Sequence, residues 1–275
     1  MNALDNFKLT GKTCIITGGA GLLGTKHAEA VLEAGGIPIL LDINQEKIDK
    51  TIFCLKEKYN TFLEGFKIDI TNKQELKKIR DILLSKYGKI DILINNAANN
   101  PKVEGLTEKN WTHFENFPEE VWNQDLDVGI KGAFFCSQVF GEVMANQGGG
   151  VILNISSDLG IIAPNQELYT KKGLTDEQQN VKPVTYSVVK HALLGLTRYL
   201  ATYWAKKNIR VNAICPGGVF NNQDNEFLQK LYPLIPMQRM ADKDEYKSAI
   251  LFLISDASSY MTGSVISIDG GRTCW

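Results

Sequence analysis

Short apolar, β-branched runs alternate with longer segments of helical character along nearly the whole chain, and this alternation constrains the fold more than any other feature. Lys12–Thr17, Ile37–Leu41, Thr61–Asp69, Ile90–Ile94, Val151–Ser156, Ile209–Ile214 and Ser264–Ile268 read as strands. Leu22–Ala34, Asn44–Tyr59, Asn72–Tyr87, Glu119–Asn146, Tyr186–Lys207 and Lys243–Ser255 read as helices between them. Most of the strand runs are almost continuously apolar, so they are buried on both faces, as in a parallel sheet covered by helices. The chain is therefore expected to be an α/β protein: a doubly wound Rossmann fold with a mostly parallel sheet. No linker-like or low-complexity stretch divides residues 1–275, so one domain is expected. Two segments, near 99–118 and 159–185, are longer than ordinary connections. Both leave the carboxyl ends of strands, where such sheets bind ligands.

Composition narrows the function classes. The net charge is −1, which argues against nucleic acid or an anionic membrane surface as a partner. No apolar run approaches the roughly 18 residues of a membrane span, and Met1–Thr10 lacks a signal-peptide core. The five cysteines are widely spaced and form no CxxC, as expected of free thiols in a reducing cytoplasm. His27, His113 and His191 lack ligand spacing, so no metal is expected.

Thr17–Gly24 reads TGGAGLLG between the first strand and the first helix. Gly18, Gly21 and Gly24 suit a tight turn, close approach of the backbone to a pyrophosphate, and close packing of helix on strand. The helix N-terminus then offers free N–H groups to phosphate. Asp42 ends the second strand, eighteen residues beyond Gly24. A carboxylate there can accept from both hydroxyls of an adenosine ribose and repels a 2′-phosphate. No arginine follows it in Ile43-Asn44-Gln45, so NAD is the expected cofactor rather than NADP.

Tyr186 and Lys190 are four apart and share a helix face. A free tyrosine titrates near about 10, too high for a base near neutrality, but a neighbouring ammonium and a cationic nicotinamide favour the phenolate. Tyr203 and Lys207 have the same spacing, so spacing alone decides nothing. Context does: Tyr186 opens a helix after a strand ending Asn154-Ile155-Ser156-Ser157, which supplies a hydroxyl for a reacting oxygen, whereas Tyr203 lies late in the same helix.

With these segments in place, the chain resembles a short-chain dehydrogenase/reductase of the compact single-domain type over nearly its whole length. The resemblance rests on TGGAGLLG, Asp42, Asp69-Ile70, NNAA (Asn95–Ala98), NISS (Asn154–Ser157), YSVVK (Tyr186–Lys190), CPGGV (Cys215–Val219) and TGSVISIDGG (Thr262–Gly271). It implies that Ser157 holds the substrate oxygen, Tyr186 is the general acid/base, and Lys190 binds the nicotinamide ribose and tunes Tyr186. It places Gly18, Gly21, Leu22, Leu23, Gly24, Asp42 and Ile43 at the cofactor's phosphate and ribose end. Asp69 and Ile70 go to the adenine. Asn96, Ala97, Ala98, Ile155, Pro216, Gly217 and Val219 line the cofactor. It further implies a homotetramer or homodimer built on the Glu119–Asn146 and Tyr186–Lys207 helices and the C-terminal strand, with Phe134, Phe135, Val139 and Phe140 exceeding the needs of one buried face.

Two departures stand out. Leu22 occupies a position that is usually glycine in compact members; the resulting spacing is similar to the extended branch, although no extra substrate domain is present. Gly129 in Asp127-Val128-Gly129-Ile130-Lys131-Gly132 replaces an asparagine that commonly holds a relay water. The long loop after NISS is similar to members associated with flagellin and surface-polysaccharide modification.

The expected function is hydride transfer between NAD and an alcohol or carbonyl carbon of a polar small molecule such as a sugar or sugar acid. Asn99, Asn100, Lys102, Glu104, His113, Asn116, Asp158, Asn165, Gln166, Glu167 and Asn221–Asp224 are the polar groups expected around it. Trp111 or Tyr169 is expected against a sugar ring, and Lys171 or Lys172 near an anionic group. An NADPH-dependent ketoacyl or carbonyl reductase, and a catalytically silent nucleotide-binding protein, are the alternatives.

Overall fold

Every strand of the sheet pairs in parallel, in the order β3-β2-β1-β4-β5-β6-β7. The strands are β1 (Thr13–Thr17), β2 (Ile37–Asp42), β3 (Glu64–Lys67), β4 (Ile92–Asn95), β5 (Gly150–Ile155), β6 (Ile209–Pro216) and β7 (Val265–Ile268). The computed structural model describes residues 2–99 and 111–275. Eight α-helices lie among the described residues: α1 (Leu22–Glu33), α2 (Gln45–Tyr59), α3 (Lys73–Tyr87), α4 (Glu119–Leu126), α5 (Gly132–Gln147), α6 (Val184–Tyr203), α7 (Asn225–Leu231) and α8 (Lys247–Ile254).

Neighbouring strand residues feed opposite cores, which is why the strands carry no polar alternation. Ile15, Ile39, Leu41, Leu93 and Ile152 pack with side chains of α3, α5 and α6. Cys14, Ile16, Leu40, Ile92, Ile94 and Leu153 pack with α1, α2 and α8 on the other face. The strand order reverses between β1 and β4, and this switch point opens a crevice at the carboxyl ends of the strands. Local chemistry sets the helix ends. Asn44 Oδ1 accepts from Lys47 N, and Asn72 Oδ1 accepts from Gln74 N and Glu75 N. Asn60 and Gly88 close the same helices in the left-handed conformation.

The sheet is wholly parallel, stricter than the mostly parallel expectation. The third strand spans Glu64–Lys67 rather than Thr61–Asp69, and α8 begins at Lys247 rather than Lys243. Helix α7 has no counterpart in the periodicity reading, because its seven residues are too few to show a repeat. The long helix expected over Glu119–Asn146 is interrupted by a π-helical turn, Asp127–Lys131. Gly129 sits inside that turn, where α6 passes so closely that an added Cβ would lie 2.4 Å from Val189 Cγ1. Glycine at this position is therefore a packing requirement of the contact with α6.

Gly129→Ala is expected to destabilise. Overpacking against a stiff branched side chain costs about 1–3 kcal/mol, against about 1 kcal/mol regained in helix propensity. Val189→Ala opens the space, so a double-mutant cycle read by urea unfolding is expected to show favourable coupling between the two substitutions. Additive effects would place the cost of alanine elsewhere.

Candidate active site

The glycine turn is pinned to the end of β4 before anything binds there. Thr17 Oγ accepts from the backbone N–H groups of Asn96 and Ala97, each at 3.0 Å. Asn96 Nδ2 donates to the carbonyls of Thr17 at 2.9 Å and Gly18 at 3.1 Å. Gly18 adopts φ +60°, and a Cβ there would come within 3.0 Å of Ala97 Cα. At Gly24 a Cβ would lie 2.1 Å from the Gly18 carbonyl oxygen, so only glycine lets α1 rise against the turn. Gly21 is the N-cap of α1 and brings no capping side chain, which leaves first-turn N–H groups available to an anion.

These features border a cleft of about 810 Å³ at the switch point. Gly18, Gly21, Leu22, Leu23, Asp42, Ile43, Asp69, Ile70, Asn96, Ala97, Ala98, Ile155, Pro216, Gly217 and Val219 all line it. Gly24 alone of the expected cofactor residues does not; it works from behind, through the packing of α1. Asp42 Oδ2 accepts from Ala20 N at 3.2 Å and Oδ1 from Asn44 N at 3.1 Å, so each oxygen keeps a lone pair for a ribose hydroxyl. Lys47, from the first turn of α2, reaches the same end of the cleft. The turn, the free helix end and the carboxylate fit a dinucleotide. Leu22, 43% exposed, borders the cleft without obstructing the turn.

Ser157, Tyr186 and Lys190 converge on the other half of the same cleft. Buried polar ties hold α6 on the sheet. Asn95 Nδ2 donates to Asn154 Oδ1, Asn154 Nδ2 donates to Thr197 Oγ, and Ser156 Oγ donates to the Lys190 carbonyl. Lys190 Nζ donates to the Ile155 carbonyl at 2.9 Å and lies 5.7 Å from the Tyr186 ring centroid. Burial pushes the Lys190 ammonium down to about 8. Burial raises the Tyr186 phenol, hydrogen bonding to Ser157 counters this, and the Asp158 carboxylate adds to the rise. Ser157 Oγ donates to Asp158 Oδ1 at 2.7 Å. Tyr203, by contrast, stacks on Tyr199 at the exposed side of α6 and does not line the cleft.

A hollow of about 10 Å³, close to the size of one water, lies behind Tyr186 and Lys190. Gly129, Asp125, Thr185 and Asn99 border it, and the Thr185 hydroxyl donates to Asp125. The hollow beside Gly129 therefore carries polar groups.

The substrate side holds residues that the sequence reading missed. Leu168, Phe227, Leu231 and Met240 form an apolar wall, with α7 as its outer edge. Lys182 and Arg272 supply cations. Of the polar residues expected here, Asn99, Asp158, Tyr169, Asn221 and Gln223 line the cleft. Lys171 and Lys172 are exposed and lie away from it. Trp111 packs on Phe117, and His113 Nε2 bonds the Gln179 carbonyl, tying the two long loops together. Asn100, Lys102 and Glu104 fall outside the described residues. Among the described residues no acidic, histidine or cysteine cluster has metal-binding geometry, and no helix is long and apolar enough to cross a membrane.

Known proteins are similar to the chain over nearly its whole length. A family model described as enoyl-(acyl carrier protein) reductase matches residues 19–273. An NAD-dependent glycerol dehydrogenase of Listeria innocua is 33% identical, over 98% of this chain and 96% of its own. Post-translational flagellin modification protein A of Campylobacter coli is 30% identical, over 96% and 98%. The crystal structure of a short-chain type dehydrogenase/reductase from Mycobacterium marinum superposes with a TM-score of 0.84 at 29% identity, covering all of both chains. With its parallel switch-point cleft, glycine turn and Ser-Tyr-Lys convergence, the chain belongs to the short-chain dehydrogenase/reductase family of oxidoreductases.

Proposed function

We propose that this enzyme uses NAD to interconvert an alcohol and a carbonyl on a polar, carbohydrate-like small molecule. The observation that carries the reading is one continuous cleft with a ribose-accepting carboxylate, Asp42, at one end and Ser157, Tyr186 and Lys190 at the other. Bound nicotinamide supplies the hydride acceptor or donor. In oxidation, the Tyr186 oxygen takes the substrate hydroxyl proton. In reduction, it returns that proton to the nascent alkoxide. Ser157 holds the substrate oxygen, turning its hydroxyl from Asp158 as it does so. Asp158 keeps its ion pair with Arg272 meanwhile, at 3.1 Å. Lys190 supports the phenolate through its charge. The similarity to a glycerol dehydrogenase supports a polyhydroxylated substrate. The apolar wall of Leu168, Phe227, Leu231 and Met240 favours a second reading, a carbonyl reductase for apolar ketones. Sugar derivatives and medium-chain ketones assayed side by side through NADH absorbance decide between them; turnover of ketones alone would overturn the carbohydrate reading.

Cofactor choice is read by fluorescence titration. At least about a tenfold preference for NAD(H) is expected, or about 1.4 kcal/mol. Asp42→Ala narrows it by removing 2′-phosphate repulsion, and Lys47 then becomes the cation that attracts NADP(H). Equal wild-type affinities would refute the assignment.

Tyr186→Phe is expected to lower turnover about 10²- to 10⁴-fold with cofactor affinity nearly unchanged. Lys190→Met impairs both. Because burial raises the Tyr186 pKa, oxidation, which needs the phenolate, gains rate as pH rises. Reduction, which needs the phenol, loses rate over the same range. Lys190 sheds its charge above about 8, so its support for the phenolate fades there. A pH-independent oxidation rate, with hydride transfer shown to be rate-limiting, would remove Tyr186 from the proton step.

Assembly is proposed to use the outer faces of α5 and α6. Val139 and Phe140 are buried in the chain's own core, so they do not serve it. Phe134, Val188, Tyr199 and Tyr203 remain, with Phe134 45% and both tyrosines 63% exposed. Light scattering at micromolar concentration is expected to give a dimer or tetramer mass, and Tyr199→Glu to reduce it. A monomeric wild type would end this proposal.

A further inference from the structure

The chain after β7 is built to deliver one side chain into the cleft. Asp269 Oδ1 accepts from Gly271 N at 2.9 Å and Oδ2 from Thr273 N at 3.0 Å, which closes a tight turn. Gly270 and Gly271 take φ +66° and +90°, and a Cβ on Gly271 would lie 2.8 Å from Pro236 Cγ. The turn sends Arg272 inward, where its side chain is 8% exposed and lines the substrate half of the cleft. Its Nε lies 3.1 Å from Asp158 Oδ2. Asp158 is itself buried, directly follows Ser157, and lines the same part of the cleft.

This pair is not the bidentate one that arginine and carboxylate commonly make. Asp158 Oδ1 is engaged by Ser157 Oγ at 2.7 Å and by Leu159 N at 2.8 Å, so it is turned to the serine. Only Oδ2 faces Arg272, and the Nε–H is not aligned on it; among the described residues that buried N–H makes no hydrogen bond. Charge therefore holds the pair, while hydrogen bonds at Oδ2 and at the guanidinium are left to be completed. An acceptor and a donor stand side by side at one point of the cleft wall. A hydroxyl, which donates and accepts at once, satisfies both. An anion meets the Asp158 carboxylate, a cation meets the Arg272 guanidinium, and an apolar group leaves both groups short of partners. The Asp158 charge is also felt at Tyr186, so this point lies close to the reacting oxygen.

We propose that Asp158 and Arg272 form a recognition site for a substrate hydroxyl on the carbon next to the reacting one. That hydroxyl donates to Asp158 Oδ2 and accepts from the Arg272 guanidinium, while the reacting oxygen sits at Ser157 and Tyr186. The spacing suits it. Oxygens on adjacent carbons stand about one hydrogen-bond length apart, as do Ser157 Oγ and the Asp158 carboxylate. The substrate class is a 1,2-diol in oxidation and an α-hydroxy carbonyl in reduction. Oxidation passes the hydride of the reacting carbon to NAD+ and its hydroxyl proton to Tyr186, and the neighbouring hydroxyl stays intact. The inference rests on the proposed chemistry at Tyr186 and deepens the carbohydrate reading, by naming the feature of a carbohydrate that the site would select.

The test has two arms. In the first, wild-type kcat/KM with NAD+ is measured on matched alcohols: glycerol against 1,3-propanediol, and cis-1,2-cyclohexanediol against cyclohexanol. Hydrogen bonds to charged groups predict at least about a tenfold preference for the member with the adjacent hydroxyl. Within Arg272→Met and within Asp158→Ala the same ratio is expected to fall to within about threefold of unity, on the same scale. A purely structural role for either residue changes the rates on both members of a pair together and leaves the ratio unmoved. In the second arm, dissociation constants of the same alcohols are measured by ligand-observed NMR on the NADH complex, in which an alcohol binds without reacting. The 1,2-diols are expected to bind at least about fivefold tighter than their partners in wild type, and equally in Arg272→Met. This arm decides if none of the alcohols is turned over. A preference for cis-1,2-cyclohexanediol supports the site even if every sugar fails as a substrate, in which case the carbohydrate reading alone falls. A smaller wild-type preference, or one that either variant retains in full, overturns the proposal. Should the variants fail to fold, the wild-type ratios decide alone.

Discussion

The hydrogen-bonded knot between the end of β1 and the end of β4 is the constraint on which the rest of the site depends. Thr17 Oγ holds two backbone N–H groups of the β4 tip, and Asn96 returns two bonds to the β1 carbonyls. Together they fix the crevice where the strand order reverses and hold Gly18 so close to Ala97 that no side chain fits between. The glycine turn and this wall of the cleft are thus one rigid unit. A dinucleotide that binds there meets donors already in place, which lowers the ordering cost of binding.

Helix α6 depends on a second set of ties, and these decide where the proposed acid/base stands. Thr197, the Lys190 carbonyl and Lys190 Nζ are each bonded to residues at the end of β5 or just beyond it. Ser157 follows the same strand end, so serine, tyrosine and lysine share one frame. The π-helical turn at Asp127–Lys131 presses Gly129 onto Val189 from the other side. The glycine that departs from the family pattern is thereby explained by close helix packing, while Asp125 and Thr185 bring polar atoms to the adjoining hollow. Loss of the usual asparagine does not leave this corner apolar.

The fold was legible because each strand's burial on both faces is written into its composition. Ile15 and Ile16 feed different cores, and no polar residue interrupts them. The glycines at the first strand end were legible for a different reason: close backbone approach demands that residue type. Single charged residues carry no such signature. Lys182 is one lysine among several in the second loop, and nothing local marks it above Lys171 or Lys172. Only the folded path, which turns one inward and leaves the others exposed, separates them. Arg272 follows the DGG segment and gains meaning only when its chain end folds back onto Asp158. The apolar wall was hidden similarly. Helix α7 is one turn past nucleation length, and its Phe227 and Leu231 face the cleft because Leu168 and Met240, distant in sequence, pack against them.

Charge along the cleft is graded, and the gradient bears on orientation as well as affinity. At one end stands the Asp42 carboxylate; next come the N–H groups of the α1 N-terminus, which no side chain caps; at the far end Lys190 and Lys182 lie beside the Tyr186 ring, and Arg272 is paired with Asp158. A dinucleotide has neutral ribose hydroxyls, then phosphates, then a nicotinamide that is cationic when oxidised. Its first two parts match the protein, and its last opposes it. The Lys190 charge at that end favours the Tyr186 phenolate over the phenol, against the burial that raises the phenol's pKa.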